Sequence, residues 1–381
     1  MNNQYNGHLC IVFALEHYNP LNMIRALGEK GVCPVYFSVK RRYEVATKSK
    51  YISELYRVDS VEEGFHLLME KYGYLAKETG KKPFIVFSDD KSVGYFDDHY
   101  NEWEDKFITY NAGRAGRINE FMDKYNIQLL AKKHGFNVLD SYVIGKEDKL
   151  PENLWYPVIT KDISPNSGSW KGDVYICHDE KELRKAICKI ESPLIMIQHF
   201  VDKQNEMALE GYCINHGRDI QIITQMKWKY LIQGYYSPYH DVKMFNDKEM
   251  EAKLRDMFEE IGFEGVFEVE FLVDKDGTLY FMEINFRASA WNPTCKFAGM
   301  PLPYLWIKGM ENGYIESSDR KTFEPFTSMS EVIDYAKRVE GGMCTLAEWL
   351  RDFKDAKCLY IYDKEDRGPW DEVIKNWEKF K

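Results

Sequence analysis

The sequence has no uninterrupted run of 18 apolar residues, so no transmembrane helix is expected. Its start, MNNQYNGHLCIVFALEHYNP, lacks the basic stretch and cleavage site of a secretory signal. None of the eight cysteines, at 10, 33, 177, 188, 213, 295, 344 and 358, forms a C-x-x-C pair. That argues against a zinc ribbon or a dithiol redox motif and for reduced thiols in the cytoplasm. Positive charge is in deficit: with a net charge of -10, neither nucleic acid nor an anionic membrane is expected as the main partner. Internal repeats and low-complexity stretches are missing too. What is present is a globular chain of 381 residues, 44% hydrophobic and 29% charged, enough for two or three domains and a large core.

The first third alternates strands with helices. HLCIVFAL, CPVYFSV and KPFIVFS are buried strands, the last ending at the pair Asp89-Asp90. NPLNMIRALGEKG is a helix with an Asn cap, a Pro in its first turn and a closing Gly; VEEGFHLLMEKYGYLAKE is another. Such alternation implies a parallel sheet. Tyr95, Phe96, Tyr100, Trp103 and Phe107 recur near helical spacing and are expected in the core. A second unit starts near Arg117 with the amphipathic helix INEFMDKYNIQLLAKKHG. Strands WYPVITKDI, DVYIC and PLIMIQHFV follow, with a small-residue loop SPNSGSWKGD and a helix DEKELRKAICKI among them. Two antiparallel strands flank the turn NHGRD, and DKEMEAKLRDMFEEIG is a helix. The last segment, from about 314, is expected to be helical around TLAEWLRDF and PWDEVIKNWEKF.

The chemistry concentrates in VEFLVDKDGTLYFMEINFR, residues 269 to 287. Asp276-Gly277 signals a two-residue hairpin turn flanked by Lys275 and Thr278. That register sets Glu270 opposite Glu283. Strand alternation then puts Glu268, Glu270, Glu283, Asn285 and Arg287 on one face and the phenylalanines on the other. Like charges directly opposed are destabilising, so a positive group is expected between them. Two carboxylates and an amide are hard oxygen ligands that suit Mg²⁺ or Mn²⁺. Arg287 on the same face suits a developing anionic charge. A solvated outer face, part-neutralised by Arg287, is the alternative; two pairs in register favour the metal. DKDG is not an EF-hand loop, because Leu272 stands where the first Asp is needed.

The order of elements and the block FEVEFLVDKDGTLYFMEINFRASAW resemble the ATP-grasp superfamily over nearly the whole chain. The resemblance implies an α+β / α/β architecture. Residues 1–116 would form a Rossmann-like preATP-grasp domain and 117–313 the ATP-grasp domain, with a lid at about 140–200. A C-terminal segment, 314–381, would complete it. The pattern E-F…E-x-N implies Glu270, Glu283 and Asn285 as metal ligands, with Arg287 as the catalytic arginine. ATP would meet Lys124 and Lys161, the loop Ser167, Gly168 and Ser169, the backbone of a hinge at Gln198, His199, Phe200 and Val201, and Lys229, which shares a face with Lys227. Glu206 would hold the ribose hydroxyls, with Glu210 as its rival.

Within the superfamily, PFIVFSDDKSVGYFDDHYNEWEDKF and NFRASAWNPTCKFAGMPLPYLW are most similar to carboxylate–amine ligases of the D-aspartate ligase type. Glu268 stands where D-alanine ligases carry an arginine, which argues against D-alanine–D-alanine ligation. The resemblance implies an ATP- and Mg²⁺-dependent ligase that joins a small-molecule carboxylate and an amine through an acyl phosphate, in the cytoplasm and compatible with a homodimer. A nucleotide-binding sensor without turnover and an ATP-grasp carboxylase are the other readings. The general base is not identifiable from the sequence.

Overall fold

The computed structural model describes residues 1–161, 163, 174–232 and 237–380. The loop residues Ser167, Gly168 and Ser169 therefore lie outside the described residues. In the first sheet β1 (Gln4–Tyr5), β2 (His8–Leu15), β3 (Val35–Val39) and β4 (Glu54–Val58) lie side by side, and β5 (Phe84–Phe87) also pairs with β2. Strands β3 and β5 both pair in parallel with Ile11–Phe13, so they flank β2. Their side chains are buried throughout, as a parallel sheet covered on both faces requires. The charged edge strand β4 was not expected; its exposed Glu54 and Arg57 mask the apolar pattern. Helix Tyr18–Gly28 starts at a His17 cap and not at Asn19, whose side chain bonds the His17 ring at 3.0 Å. The second expected helix is two, Val61–Tyr72 and Leu75–Thr79, parted at Gly73. Phe96, Trp103 and Phe107 are buried in the core.

The second sheet holds β6 (Ser141–Gly145), β7 (Val158–Lys161), β8 (Ile176–Cys177) and β9 (Leu194–His199) in the antiparallel order β6-β9-β7-β8. Helix Glu180–Ile187 covers it through Leu183 against Ile144, Val158, Ile195 and Ile197. The long helix expected before it breaks into Arg117–Met122 and Lys124–Lys133. Asp123 adopts an extended ψ of 119° and accepts from the N–H groups of Tyr125 and Asn126, capping the second helix.

The third sheet comprises β10 (Asn205–Ile214), β11 (Asp219–Trp228), β12 (Tyr239–Met244), β13 (Gly265–Val273), β14 (Leu279–Asn285), β15 (Phe326–Met329) and β16 (Cys358–Leu359). Their order is β14-β13-β10-β11-β12-β15-β16. Strands β15 and β16 correct the expectation of a purely helical last segment: short pieces are completed by pairing with distant strands.

The hairpin turn also differs from its expected form. Gly277 donates to the Asp274 carbonyl and Asp274 to the Thr278 carbonyl, both at 3.1 Å. The loop thus has three residues, and of them only Gly277 takes a positive φ, of 80°. At 5.8 Å the Phe271 and Phe281 rings meet edge to face, while Asn285 Nδ2 donates to Glu268 Oε2 at 3.1 Å. Side chains that meet across a hairpin share a face, so the two contacts differ in frame by one residue. An extra residue therefore lies in β14 between them. Met282 and Glu283 are both half-buried, between buried Phe281 and Ile284. This bulge restores the expected frame at Glu268 and Asn285.

The chain divides into two compact units. One comprises Met1–Ile118, Met207–Glu268 and Asn285–Lys381; the other comprises Asn119–Glu206 and Val269–Ile284. No helix among the described residues is long and apolar enough to cross a membrane.

Candidate active site

In the unit built around the second sheet, β7 delivers Lys161 at its end, where Nζ donates to Gln198 Oε1 at 2.8 Å. The Gln198 amide is buried and in turn donates to Gln128 Oε1 at 3.0 Å and Ser141 Oγ at 2.9 Å. The resemblance implies a backbone role for Gln198; in the structure its side chain also bonds Lys161. Burial, reinforced by the Lys124 charge, pushes the Lys161 ammonium down to about 8, against the pull of Glu283 and Glu206. Lys124 opens its helix, and its N–H donates to the Ile163 carbonyl at 2.8 Å. Its Nζ stands 3.9 Å from Glu283 Oε2. Glu206 is bound by Lys203 Nζ at 2.6 Å, and burial raises its carboxyl. Lys124, Lys161, Glu206 and Glu283 are thus brought into one cluster, together with Lys203, which the sequence reading missed. Three ammoniums and two carboxylates in a partly open setting suit a polyanion together with a cation.

The hinge residues belong to the same unit. His199 donates its N–H to the Asp140 carbonyl at 2.8 Å and Phe200 to that of Pro157 at 2.9 Å. Two of the backbone donors expected to read a base are therefore already held by the chain. Trp155, largely exposed, stacks on the His199 ring at 4.9 Å.

The other unit assembles a second group around Arg287. Its Nε and Nη2 grip both oxygens of Asp90 at 3.1 and 3.2 Å. Nη2 also donates to Asn285 Oδ1 at 2.9 Å, and Nη1 lies 3.6 Å from Glu268. Asp90 begins its helix right after β5; the neighbouring Asp89 caps that helix through the Ser92 N–H and ties it to the Leu15 N–H, each at 2.8 Å. Asp90 is a further residue missed at the sequence level, where Asp89-Asp90 marked only the end of a strand. Lys229 is not gathered here: its Nζ pairs with Asp241 at 3.0 Å. Glu210, the rival for ribose, is fully buried in β10 and bonded by the Ser289 hydroxyl, a poor place for a ribose contact.

Taken singly, the residue types expected as metal ligands suit a hard divalent ion. Glu270, Glu283 and Asn285 carry oxygen donors, and Glu283 is one-third exposed, with a cation no nearer than 3.9 Å among the described residues. No group of three or more His, Cys, Asp or Glu side chains among the described residues is arranged to hold a metal by itself. Two carboxylates and an amide suit Mg²⁺ only when phosphate oxygens complete the shell.

No family model matches the sequence. Solved structures do match its fold. The L-amino acid ligase from Bacillus licheniformis matches with a TM-score of 0.62 at 13% identity, over 84% of this chain and 79% of that one. N5-carboxyaminoimidazole synthetase from Staphylococcus aureus matches with a TM-score of 0.65 at 17% identity, over 90% and 87%. Biotin carboxylase from Campylobacter jejuni, solved as a beta-gamma-ATP complex, matches with a TM-score of 0.64 at 16% identity, over 84% and 75%. The chain has the ATP-grasp fold that these proteins share.

Proposed function

We propose that the chain is an ATP-dependent carboxylate–amine ligase of the D-aspartate ligase type, which forms an amide through an acyl phosphate and releases ADP and phosphate. The observation that carries this reading is the cluster of Lys124, Lys161, Glu206 and Glu283 on an ATP-grasp scaffold. The two lysines hold the phosphates as ammonium donors, Gln198 keeps Lys161 extended towards them, and Glu206 takes the ribose hydroxyls. Glu270, Glu283 and Asn285 would hold Mg²⁺ (or Mn²⁺), whose part is to screen and polarise phosphate oxygens. Arg287 faces the charge that develops as the acyl phosphate forms and is attacked; a preorganised donor is most effective there. On this reading residues 1–116 are the preATP-grasp domain, 117–313 the grasp domain and 314–381 its completion. The enzyme works in the cytoplasm on small molecules, as a monomer or a homodimer.

The test is ADP release by the purified chain with Mg²⁺ and paired panels of substrates. Amino acids serve as amines; amino acids and cell-wall or capsule precursors serve as carboxylates. The expected result is ADP release that needs both partners, with a product heavier by the amine less water. Release that depends on bicarbonate instead would identify a carboxylase, the activity named for the biotin carboxylase of similar fold. ATP binding with no release in any pairing would leave a sensor.

A further inference from the structure

Glu210 has no role in the nucleotide cluster, yet it is fully buried in β10, inside a seven-stranded sheet. A carboxyl group kept there with incomplete hydrogen bonding is costly and calls for a reason. The Ser289 hydroxyl donates to Oε1, and Oε2 has no hydrogen-bond partner among the described residues. The backbone aims this side chain through an irregularity. Glu210 pairs with Thr224 and Gly211 with Ile222, so Ile223 is an extra residue opposite them. Gly211 makes the close approach possible: a Cβ there would lie 2.5 Å from the Gln221 carbonyl oxygen and 2.6 Å from the Phe267 ring. Bulges of this kind re-aim side chains beside active sites. Ser289 lies two residues beyond Arg287. Its Oγ accepts the Trp291 N–H at 3.0 Å while donating to Glu210. Ser289 is itself buried, 3% exposed; a hydroxyl has one donor and two acceptor positions, so among the described residues one acceptor position is left for a proton.

We propose that Glu210, acting through the hydroxyl of Ser289, receives the proton released by the attacking amine. The proposal rests on the ligase reading and supplies the base that reading lacks. The amine nitrogen bonds the acyl carbon, and the carbon–oxygen bond to phosphate breaks, releasing inorganic phosphate. The nitrogen's proton passes to Ser289 Oγ while the hydroxyl proton moves to Glu210 Oε1, leaving a carboxylic acid that later yields its proton to solvent. The surroundings suit the task. Burial pushes Glu210 up to about 8, opposed by the Ser289 bond and the Arg287 charge. Tyr110, Cys295 and Tyr360, which also face it, are all raised by burial and remain neutral. A base is most effective when its pKa lies near the working pH.

The decisive variant is Glu210→Gln, which preserves size and the bond to Ser289. Two rates are measured: amide formation, and hydroxamate formation when hydroxylamine, which needs no base, traps the acyl phosphate. Amide formation should fall about 100-fold and lose its rise through pH 8, with hydroxamate formation within about twofold of the native rate. Ser289→Ala should behave likewise and serves if Glu210→Gln does not fold. An infrared titration of the native protein should show a carboxylic acid ionising near pH 8, absent from the variant. Native amide rates in both variants would overturn the proposal. So would a parallel loss of both products, which marks a structural role, or the absence of that carboxyl band. If the native chain makes neither ADP nor hydroxamate with any carboxylate, the ligase reading itself fails, and the infrared result still reports on Glu210 alone.

Discussion

Two arginines in the same unit are held in opposite ways. Arg25 and Asp366 are each only 1% exposed, with Nε donating to Asp366 Oδ2 at 2.9 Å. Arg25 also reaches the main-chain carbonyls of Ile361 and Asp366 at 2.9 and 3.0 Å, and Asp366 takes the Ser49 hydroxyl and the Lys50 N–H, both at 2.8 Å. Arg287 is 15% exposed and meets the side chains of Asp90, Asn285 and Glu268. Main-chain carbonyls cannot be exchanged for other partners, whereas side-chain carboxylates can turn towards a ligand. The first arrangement fastens the C-terminal segment to the helix Tyr18–Gly28. The second holds an arginine among side chains, where its partners can change.

Removing the fastening arginine is expected to have the largest effect. Arg25→Ala leaves the Asp366 carboxylate buried without its cation, which should lower stability by about 3–5 kcal/mol. Urea unfolding measures it, and a change below about 1 kcal/mol would erase the contrast with Arg287. Arg287→Met comes next. Turnover should fall by about two to three orders of magnitude, equivalent to roughly 3–4 kcal/mol, with ATP affinity little changed. Steady-state phosphate release beside calorimetric nucleotide binding separates the two. A variant that binds ATP poorly but turns over normally when saturated would make Arg287 a ground-state ligand.

The cluster of Lys124, Lys161, Glu206 and Glu283, proposed to hold ATP, offers a third comparison, by pH. Lys161 titrates near 8 in the folded chain, below its usual value, so the folded state binds fewer protons than the unfolded state between about pH 8 and 10. Its contribution to stability therefore rises with pH through that window. Phosphate binding needs the ammonium, so ATP affinity should instead fall as pH rises above about 8 in the native protein. Lys161→Ala should weaken binding by about 1.5–3 kcal/mol at pH 7 and flatten that fall. Binding isotherms from pH 7 to 9.5 in both proteins test the sign. The smallest effect is expected from Asp90→Asn, which keeps the side chain's size but removes its charge and one of the two acceptors facing Arg287. A loss of about tenfold in kcat, with KM steady, corresponds to about 1.4 kcal/mol. A loss as deep as that of Arg287→Met would mean Asp90 meets substrate itself.

The sequence by itself determined whatever depends on near neighbours. The buried strands β2, β3 and β5, the helix Lys248–Ile261 and the hairpin of β10 and β11 follow from apolar runs, caps and turn residues within a dozen positions. The convergence of Lys124, Lys161, Glu206 and Glu283 was legible only through the family resemblance, because charge spacing carries no record of which strands become neighbours. What the tertiary structure decided lies in pairs far apart along the chain. Asp90 meets Arg287 across 197 positions, Arg25 meets Asp366 across 341, and Ser289 meets Glu210 across 79. The hairpin shows both at once: Asp276-Gly277 marks the turn, but the three-residue loop and the one-residue change of frame are set by packing of Phe271 and Phe281 at one end and Glu268 and Asn285 at the other. A short-range signal states where the chain turns; which face a carboxylate takes is settled by what it must pack against, and a slip of one residue reverses it.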